Sequence, residues 1–393
     1  MTEGIRGTGH LGVARKYDVA DVISLLDVER YPMLAILTNA GKDPVSKQGK
    51  ALKKKETTDP EFKWFEDKYG AREDIVSADQ GGATALVVTN VGYFSVGDVL
   101  LCVKTTQVTN NPSGEVMLVT AVTPGTSTLT VLRKIGDAGT GGGLLLTNDI
   151  IWIIGNANQE GADVREIKAT TVAQVSNYTQ IFRTPIGITE TARNTKGWTK
   201  ESDFDFQTKK KATEHLIDIE RAFLFGKKEQ LTSGLTHPKR FTQGLFPRIT
   251  QKKSNVSTRA EFTTYLELLF SHGNSEKYLF ASPYVISKIN EFAMDKLQVV
   301  SNEKTFGLTV IKYFSPHGTL NLIKHDLLIG NLYGKSGVGL DLETLTYRYL
   351  ASRDTKLLTN RQGNGEDARV DEYLTECGLQ FEQPERHAIV EFA

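Results

Sequence analysis

Residues 85–155 constrain the fold of this chain more than any other stretch, because short apolar runs alternate there with clusters of turn-forming residues. Five runs are predicted strands: 85–89, 96–104, 115–122, 127–135 and 149–154. Turn signals at such short and regular intervals predict a small barrel or sandwich. A module of about 70 residues can hold a core of its own. The flanking sequence follows a different pattern, so we expect an insertion in a larger fold.

A long amphipathic helix is predicted at about 204–225, ending at Gly226. Its apolar positions recur every three or four residues and form one stripe along the helix, made of Ala212, Leu216, Ile219 and Phe223. At a rise of 1.5 Å per residue this helix spans about 33 Å. On the opposite side we expect Lys210 and Glu214 to form an i,i+4 ion pair.

The C-terminal part has a mixed α/β pattern. Helices are predicted at 258–271 and from Pro283 onward, where Ser282 precedes the proline. Predicted strands lie at 278–281, 308–314, 320–323, 327–329, 342–350, 372–381 and 388–392. Together with the module and the long helix, this pattern predicts an α+β protein.

The first 60 residues have no pattern of a compact domain. A short amphipathic helix is predicted at 18–26, an apolar patch follows at 31–37, and six lysines occur between residues 42 and 55. Two aromatic strands are predicted after this arm, at 62–66 and 178–188. In the first, alternation places Phe62 and Trp64 on the same side. We expect that the arm and these strands cannot bury their apolar faces alone and need a partner surface.

The overall charge is balanced, with 47 Lys and Arg residues against 47 Asp and Glu residues. This balance argues against a dedicated nucleic-acid binder, which normally carries a basic excess. The two cysteines, Cys102 and Cys377, cannot build a disulfide framework or a zinc knuckle. With no apolar leader or spanning run near the start, a protein made in a reducing cytoplasm is expected.

Motifs for catalysis are weak throughout. None of the seven histidines forms a metal-ligand pair, and His215 is expected to be structural. The sequence Gly334-Lys335-Ser336 lacks the glycine and the following helix of a phosphate-binding loop. The glycine cluster at 139–143 joins two predicted strands and is interpreted as a hairpin tip. We therefore predict no catalytic residue, cofactor or metal site.

The lysines at 42–55 have two interpretations. They can contact nucleic-acid phosphates, but they lack the interleaved aromatic residues that stack on bases. We favour a solvated arm, or an arm that meets an acidic patch on a neighbouring subunit.

Several phrases of the sequence resemble one family. They are Phe62 to Asp67, Val96-Gly97-Asp98, Ile154 to Ala162, Asn177 to Phe182 and Glu220 to Gly226. In this order they resemble the SU10-like major capsid proteins of tailed bacteriophages, which have the HK97-like fold. The resemblance extends from about Val19 to the C-terminus.

The resemblance implies an N-terminal arm at 1–60, an E-loop and its strands at 61–84 and 156–188, and the inserted β-module at 85–155. It implies a P-domain at 189–257 and 341–393, with the spine helix at about 204–225, and an A-domain at 258–340. Hexamers and pentamers of an icosahedral head that encloses double-stranded DNA would follow. The candidate contacts between subunits are Tyr31, Leu34, Leu37, Phe62, Trp64, Tyr178 and Phe182.

The resemblance also implies partners. We expect a separate scaffolding protein, a portal, a decoration protein as a further candidate, DNA contacted non-specifically at most, and no membrane. Covalent crosslinks are not expected, so mature particles should give a monomer-sized band on denaturing gels. Three alternatives stay open: an encapsulin-type cellular shell of the same fold, an α/β enzyme with its site in 258–340, and a tail or connector component.

Overall fold

The computed structural model describes residues 32–34, 53–79, 84–103, 115–136, 145–169, 171–195, 203–292 and 310–393. The chain divides into two compact units. The main unit comprises Met1–Trp64 and Val175–Ala393, and the second unit is Phe65–Gln174. The predicted helix at 18–26 lies outside the described residues.

The strands in chain order are β1 (Lys53–Thr57), β2 (Glu61–Glu66), β3 (Glu73–Ile75), β4 (Ala85–Val87), β5 (Asp98–Val103), β6 (Glu115–Thr123), β7 (Thr128–Leu132), β8 (Ile150–Asn156), β9 (Ala173–Tyr178), β10 (Gln180–Thr189), β11 (Glu229–Leu231), β12 (Lys239–Phe241), β13 (Lys252–Val256), β14 (Glu276–Ala281), β15 (Val310–Ser315), β16 (Gly318–Lys324), β17 (Ser336–Leu340), β18 (Leu345–Leu350), β19 (Lys356–Leu358), β20 (Ala368–Phe381) and β21 (Ala388–Phe392). The helices are α1 (Glu190–Asn194), α2 (Asp203–Phe225), α3 (Leu245–Arg248), α4 (Arg259–Phe270), α5 (Pro283–Phe292) and α6 (Gly330–Tyr333).

The second unit is a small β-barrel. Its six strands follow the order β3-β8-β5-β6-β7-β4, with antiparallel pairing of neighbours. A bridge between Val76 and Val88 joins the two ends of this order, and the Ser77 N–H donates to the Val87 carbonyl at 3.0 Å. Closure removes the free edges of the sheet. All five strands predicted in this region are confirmed. The sixth strand, β3, was not predicted, because its three residues are too few to show an alternating pattern.

The barrel interior is filled by the residues that alternate inward along each strand. Leu100, Met117, Leu129 and Ile151 are fully buried there, together with Cys102. Cross-strand packing of such apolar side chains is what stabilises a small sheet.

The main unit contains a mixed sheet ordered β1-β18-β20-β10, with β19 also on β20. The predicted long helix is confirmed as α2, which packs on β10 and β20. Ile219 and Phe223 of its predicted stripe are fully buried. The predicted ion pair of Lys210 is wrong: Lys211, one residue later, pairs with Glu214 at 2.5 Å with i,i+3 spacing.

A second sheet of the main unit has the order β13-β21-β17-β14-β16-β15. Helices α4 and α5 cover it with Phe262, Tyr265 and Ile289, all buried. Because β13 and β21 belong to this sheet, it extends beyond the predicted limits of 258 and 340. The strand predicted at 327–329 is wrong, since a turn there leads into α6 through Gly330, whose φ is +80°.

Candidate functional site

Among the described residues, no group of three or more His, Cys, Asp or Glu side chains could hold a metal ion. None of the described helices is long and apolar enough to cross a membrane. The described residues do contain buried polar anchors and exposed apolar surfaces.

His215 of α2 is fully buried between two strands. Its Nδ1 lies 2.9 Å from the Thr184 hydroxyl of β10, and its Nε2 lies 2.7 Å from the Thr375 hydroxyl of β20. Burial lowers the pKa of His215, so the ring is held neutral. Both ring nitrogens have hydroxyl partners, which makes this histidine a connector of helix and sheet.

Cys377 is fully buried beside Tyr347 in the core of the main unit. Burial raises the pKa of the Cys377 thiol, with the Asp354 and Glu376 carboxylates adding to the shift. A thiol with a raised pKa is a poor nucleophile. Burial is the larger of these causes.

The Gly334-Lys335-Ser336 sequence leads into strand β17. Lys335 Nζ lies 5.8 Å from the centre of the Tyr284 ring. A phosphate-binding loop requires a helix N-terminus at this point. Because a strand follows here, the glycine-containing sequence is a turn and not such a loop. The glycine cluster at 139–143 lies outside the described residues.

The N-terminal arm has one described anchor, at residues 32–34. The buried carboxylate of Glu220 on α2 accepts the N–H groups of Met33 and Leu34, each at 3.0 Å. His325 Nε2 lies 2.7 Å from the same carboxylate. Met33 and Leu34 also pack into the core of the main unit. Glu220 thus joins three segments that are distant in sequence.

Asn177, at the end of β9, forms a second polar anchor of the main unit. Its side-chain amide donates to the Leu379 carbonyl at 2.8 Å and to the Thr242 hydroxyl at 3.2 Å. Its carbonyl oxygen accepts the Gln243 N–H at 2.8 Å. The neighbouring Thr179 hydroxyl donates to Glu376 at 3.1 Å. These hydrogen bonds account for the polar side chains at positions 177 and 179.

The predicted contact residues are mostly covered by their own subunit. Leu34, Phe62, Trp64 and Phe182 are 2–8% exposed, whereas Tyr178 is half-buried. The prediction that Phe62 and Trp64 face the same side is confirmed, but the expectation that the chain cannot bury them is wrong. Tyr31 and Leu37 lie outside the described residues.

Phe62 is buried because its ring lies directly over Gly378. A Cβ atom at Gly378 would lie 2.8 Å from the Phe62 ring and 2.6 Å from the Tyr178 carbonyl oxygen. The Arg348 guanidinium lies 5.9 Å from the centre of the Phe62 ring, and that of Arg248 lies 5.5 Å from the centre of the Trp64 ring. Alternation in β2 could not reveal these partners, because they lie about 200 residues or more away in sequence.

Outward side chains of the barrel form an apolar surface. Trp152 and Ile154 of β8 are 45% and 53% exposed, and Leu132 of β7 is 56% exposed. Trp152 lies opposite Leu101 of β5 in the strand register. A contiguous apolar surface of this kind is typical of an interaction site.

Residues 157–169, here called the strap, lie against one end of the barrel. Arg165 donates through Nε to the Val96 carbonyl at 3.1 Å and forms an ion pair with Asp98. Lys168 donates to the carbonyls of Gly92, at 3.1 Å, and Phe94. Burial lowers the pKa of Lys168. These two cations fasten a segment that has no strand or helix of its own.

Comparison with known proteins identifies this architecture. The family model for the SU10 major capsid protein matches residues 5–392. The chain belongs to the SU10 major capsid protein family. A curated relative, the major capsid protein of Pseudomonas phage PaMx41, is 23% identical over 75% of this chain and 71% of its own length.

Solved structures from other particles also match the chain, at low sequence identity. The Mycobacterium phage Bobi chain has a TM-score of 0.49, 8% identity and 98% coverage of both chains. The capsid chain of a native GTA particle has a TM-score of 0.49, 7% identity and complete coverage of both chains.

Membership in this family defines the role of the chain. The family consists of capsid structural proteins, so the chain is a structural subunit of the virion, not an enzyme. It is the major shell component of a tailed-phage head, and copies of it assemble into a homo-oligomeric shell. The buried anchors at Glu220, Asn177 and His215 are accordingly structural groups of a shell subunit.

Proposed function

We propose that the chain builds an icosahedral head of hexamers and pentamers around double-stranded DNA, as an HK97-like subunit. The family match over residues 5–392 carries this proposal. In this view residues 1–60 form the arm, 61–84 and 156–188 the E-loop, 189–257 and 341–393 the P-domain, and 258–340 the A-domain. The long helix α2 against β10 and β20 supports its assignment as the spine helix.

The β-barrel is proposed to be a module inserted in the E-loop, at 85–155 with flanking residues. Its own closed sheet and core support independent folding. We propose that Tyr178 of the main unit contacts neighbouring subunits, with Phe62, Trp64 and Phe182 supporting the main unit from its own interior. The exposed barrel residues Trp152 and Ile154 are proposed to contact neighbouring subunits as well. Tyr31, Leu34 and Leu37 are proposed to order the arm in the shell.

A separate scaffolding protein and a portal are proposed partners, with DNA bound non-specifically at most. The equal numbers of basic and acidic residues support weak contact with DNA. A decoration protein is a further proposed partner, with the apolar barrel surface as its candidate site.

Electron microscopy of the purified full-length chain, alone and with its scaffolding protein, tests this function. We expect closed shells with fivefold and sixfold capsomers. Rings or tubes without closed shells would contradict the proposal and favour a connector or tail role. Closed shells that load protein cargo instead of DNA would favour an encapsulin-type compartment.

A further inference from the structure

The strap at 157–169 exposes apolar side chains to water, which is unfavourable for an isolated subunit. Arg165 and Lys168 are engaged by their own barrel, while Val164 and Ile167 are 92% and 88% exposed. Exposed apolar side chains lower the solubility of a free subunit, and ordering an irregular segment costs conformational entropy. A partner that covers the outward side of the strap would offset both costs.

The outward side of the strap is also acidic. Glu160, Asp163 and Glu166 are exposed, and none of the three forms an ion pair with a described residue. The cations of the strap bond mainly to the barrel: Arg165 is paired with Asp98, and Lys168 donates to backbone carbonyls while also attracting Glu166 electrostatically. The surface presented to a partner therefore combines three carboxylates with two apolar side chains.

The complementary chemistry occurs in the chain itself. Residues 42–55 contain six lysines and one carboxylate, that of Asp43, and they include the apolar residues Val45 and Leu52. Lys54 is already paired with Asp354 of its own subunit, so the other five lysines are the candidates for a partner. Because copies of this chain meet in a shell, each strap has the lysine-rich segments of other copies as available partners.

We propose that the strap of one copy binds the lysine-rich segment 42–55 of a neighbouring copy. The inference rests on the proposed shell function and specifies one of its contacts. Exposed ion pairs are individually weak. Repetition around a closed shell makes such weak contacts cooperative, and burial of Val164 and Ile167 adds an apolar component.

Charge reversal of the strap tests the contact in the full-length chain. The triple variant E160K/D163K/E166K should raise the subunit concentration at which shells form about tenfold at low salt. The matched variant E160D/D163E/E166D keeps all three charges and should assemble like the wild type. Reversing K42, K47 and K50 to Glu should weaken assembly similarly, and combining both reversals should restore it.

Carbodiimide crosslinking identifies the partners directly. Shells made from a mixture of ¹⁴N and ¹⁵N copies should yield crosslinked peptides of mixed isotope composition that join 42–55 to 158–168. Shells that give only crosslinks within one copy, or none between these segments, would overturn the inference while leaving the shell function intact. Absence of closed shells from wild-type protein would instead overturn the proposed function and this contact with it. Failure of the combined reversal to restore assembly would also count against the pairing.

Discussion

The two units of this subunit are stabilised in different ways. The barrel, Phe65–Gln174, has an apolar core that its strands build by simple alternation, and its buried carboxylates accept nearby backbone N–H groups, such as that of Ser95 to Asp98 at 2.6 Å. The main unit buries polar side chains whose partners are far away in sequence. Glu220 and His325 are both fully buried there.

The two units differ in the interactions that favour one folded structure over its alternatives. Apolar packing needs complementary shape and volume, whereas a buried carboxylate is tolerated only when all its partners are in place. Glu220 bonds to residues 187 and 186 positions away. The main unit therefore depends on a few long-range polar bonds, and the barrel core mainly on apolar packing.

The largest effect is expected from Glu220→Ala. The substitution leaves the N–H groups of Met33 and Leu34 without their acceptor, at a cost of about 4 kcal/mol in the free energy of unfolding of the main unit. Hydrogen exchange with mass spectrometry should show faster exchange at 32–34 and in α2 but not in the barrel. The exposed Asp218→Ala on the same helix should change this free energy by less than about 0.5 kcal/mol. Equal loss in both variants would show that the buried carboxylate has no special role.

The corresponding substitution in the barrel is Leu100→Ala. Leu100 is fully buried, and removing such a side chain typically costs about 3 kcal/mol. We expect faster exchange throughout β5, β6 and β8, while α2 and β20 keep the wild-type rate. Loss of protection in both units together would contradict their independent stabilisation.

The sequence could predict the features that local patterns encode, but not the bonds between distant residues. Alternation located five barrel strands, and the recurrence of Ile219 and Phe223 located α2, because both signals are local. The same signal showed that Phe62 and Trp64 share a side but not that Gly378 and two arginines cover it. The acceptor role of Glu220 has no local signature, since its partners are brought together only by the fold.

A smaller effect is expected at the strap from Asp98→Asn. Asparagine still offers an oxygen to the Ser95 N–H, but the ion pair with Arg165 is lost. We expect trypsin to cleave after Arg165 about tenfold faster, which corresponds to roughly 1.4 kcal/mol for a partly buried pair. Limited proteolysis with mass spectrometry measures the rate. Exchange in the barrel core should stay unchanged, and an unchanged cleavage rate would show that the pair does not fasten the strap.

The smallest effect concerns the first turn of α4 and depends on pH. Glu261 accepts hydrogen bonds from the backbone and side chains of Ser257 and Thr258, which lower its pKa from 4.5 to about 2. Because the folded pKa is the lower one, this stabilisation is present above pH 4.5 and is lost as the pH falls towards 2. Glu261→Gln keeps a neutral capping box and should remove the pH dependence of exchange at 258–262. The same dependence in wild type and variant would assign it to another carboxylate.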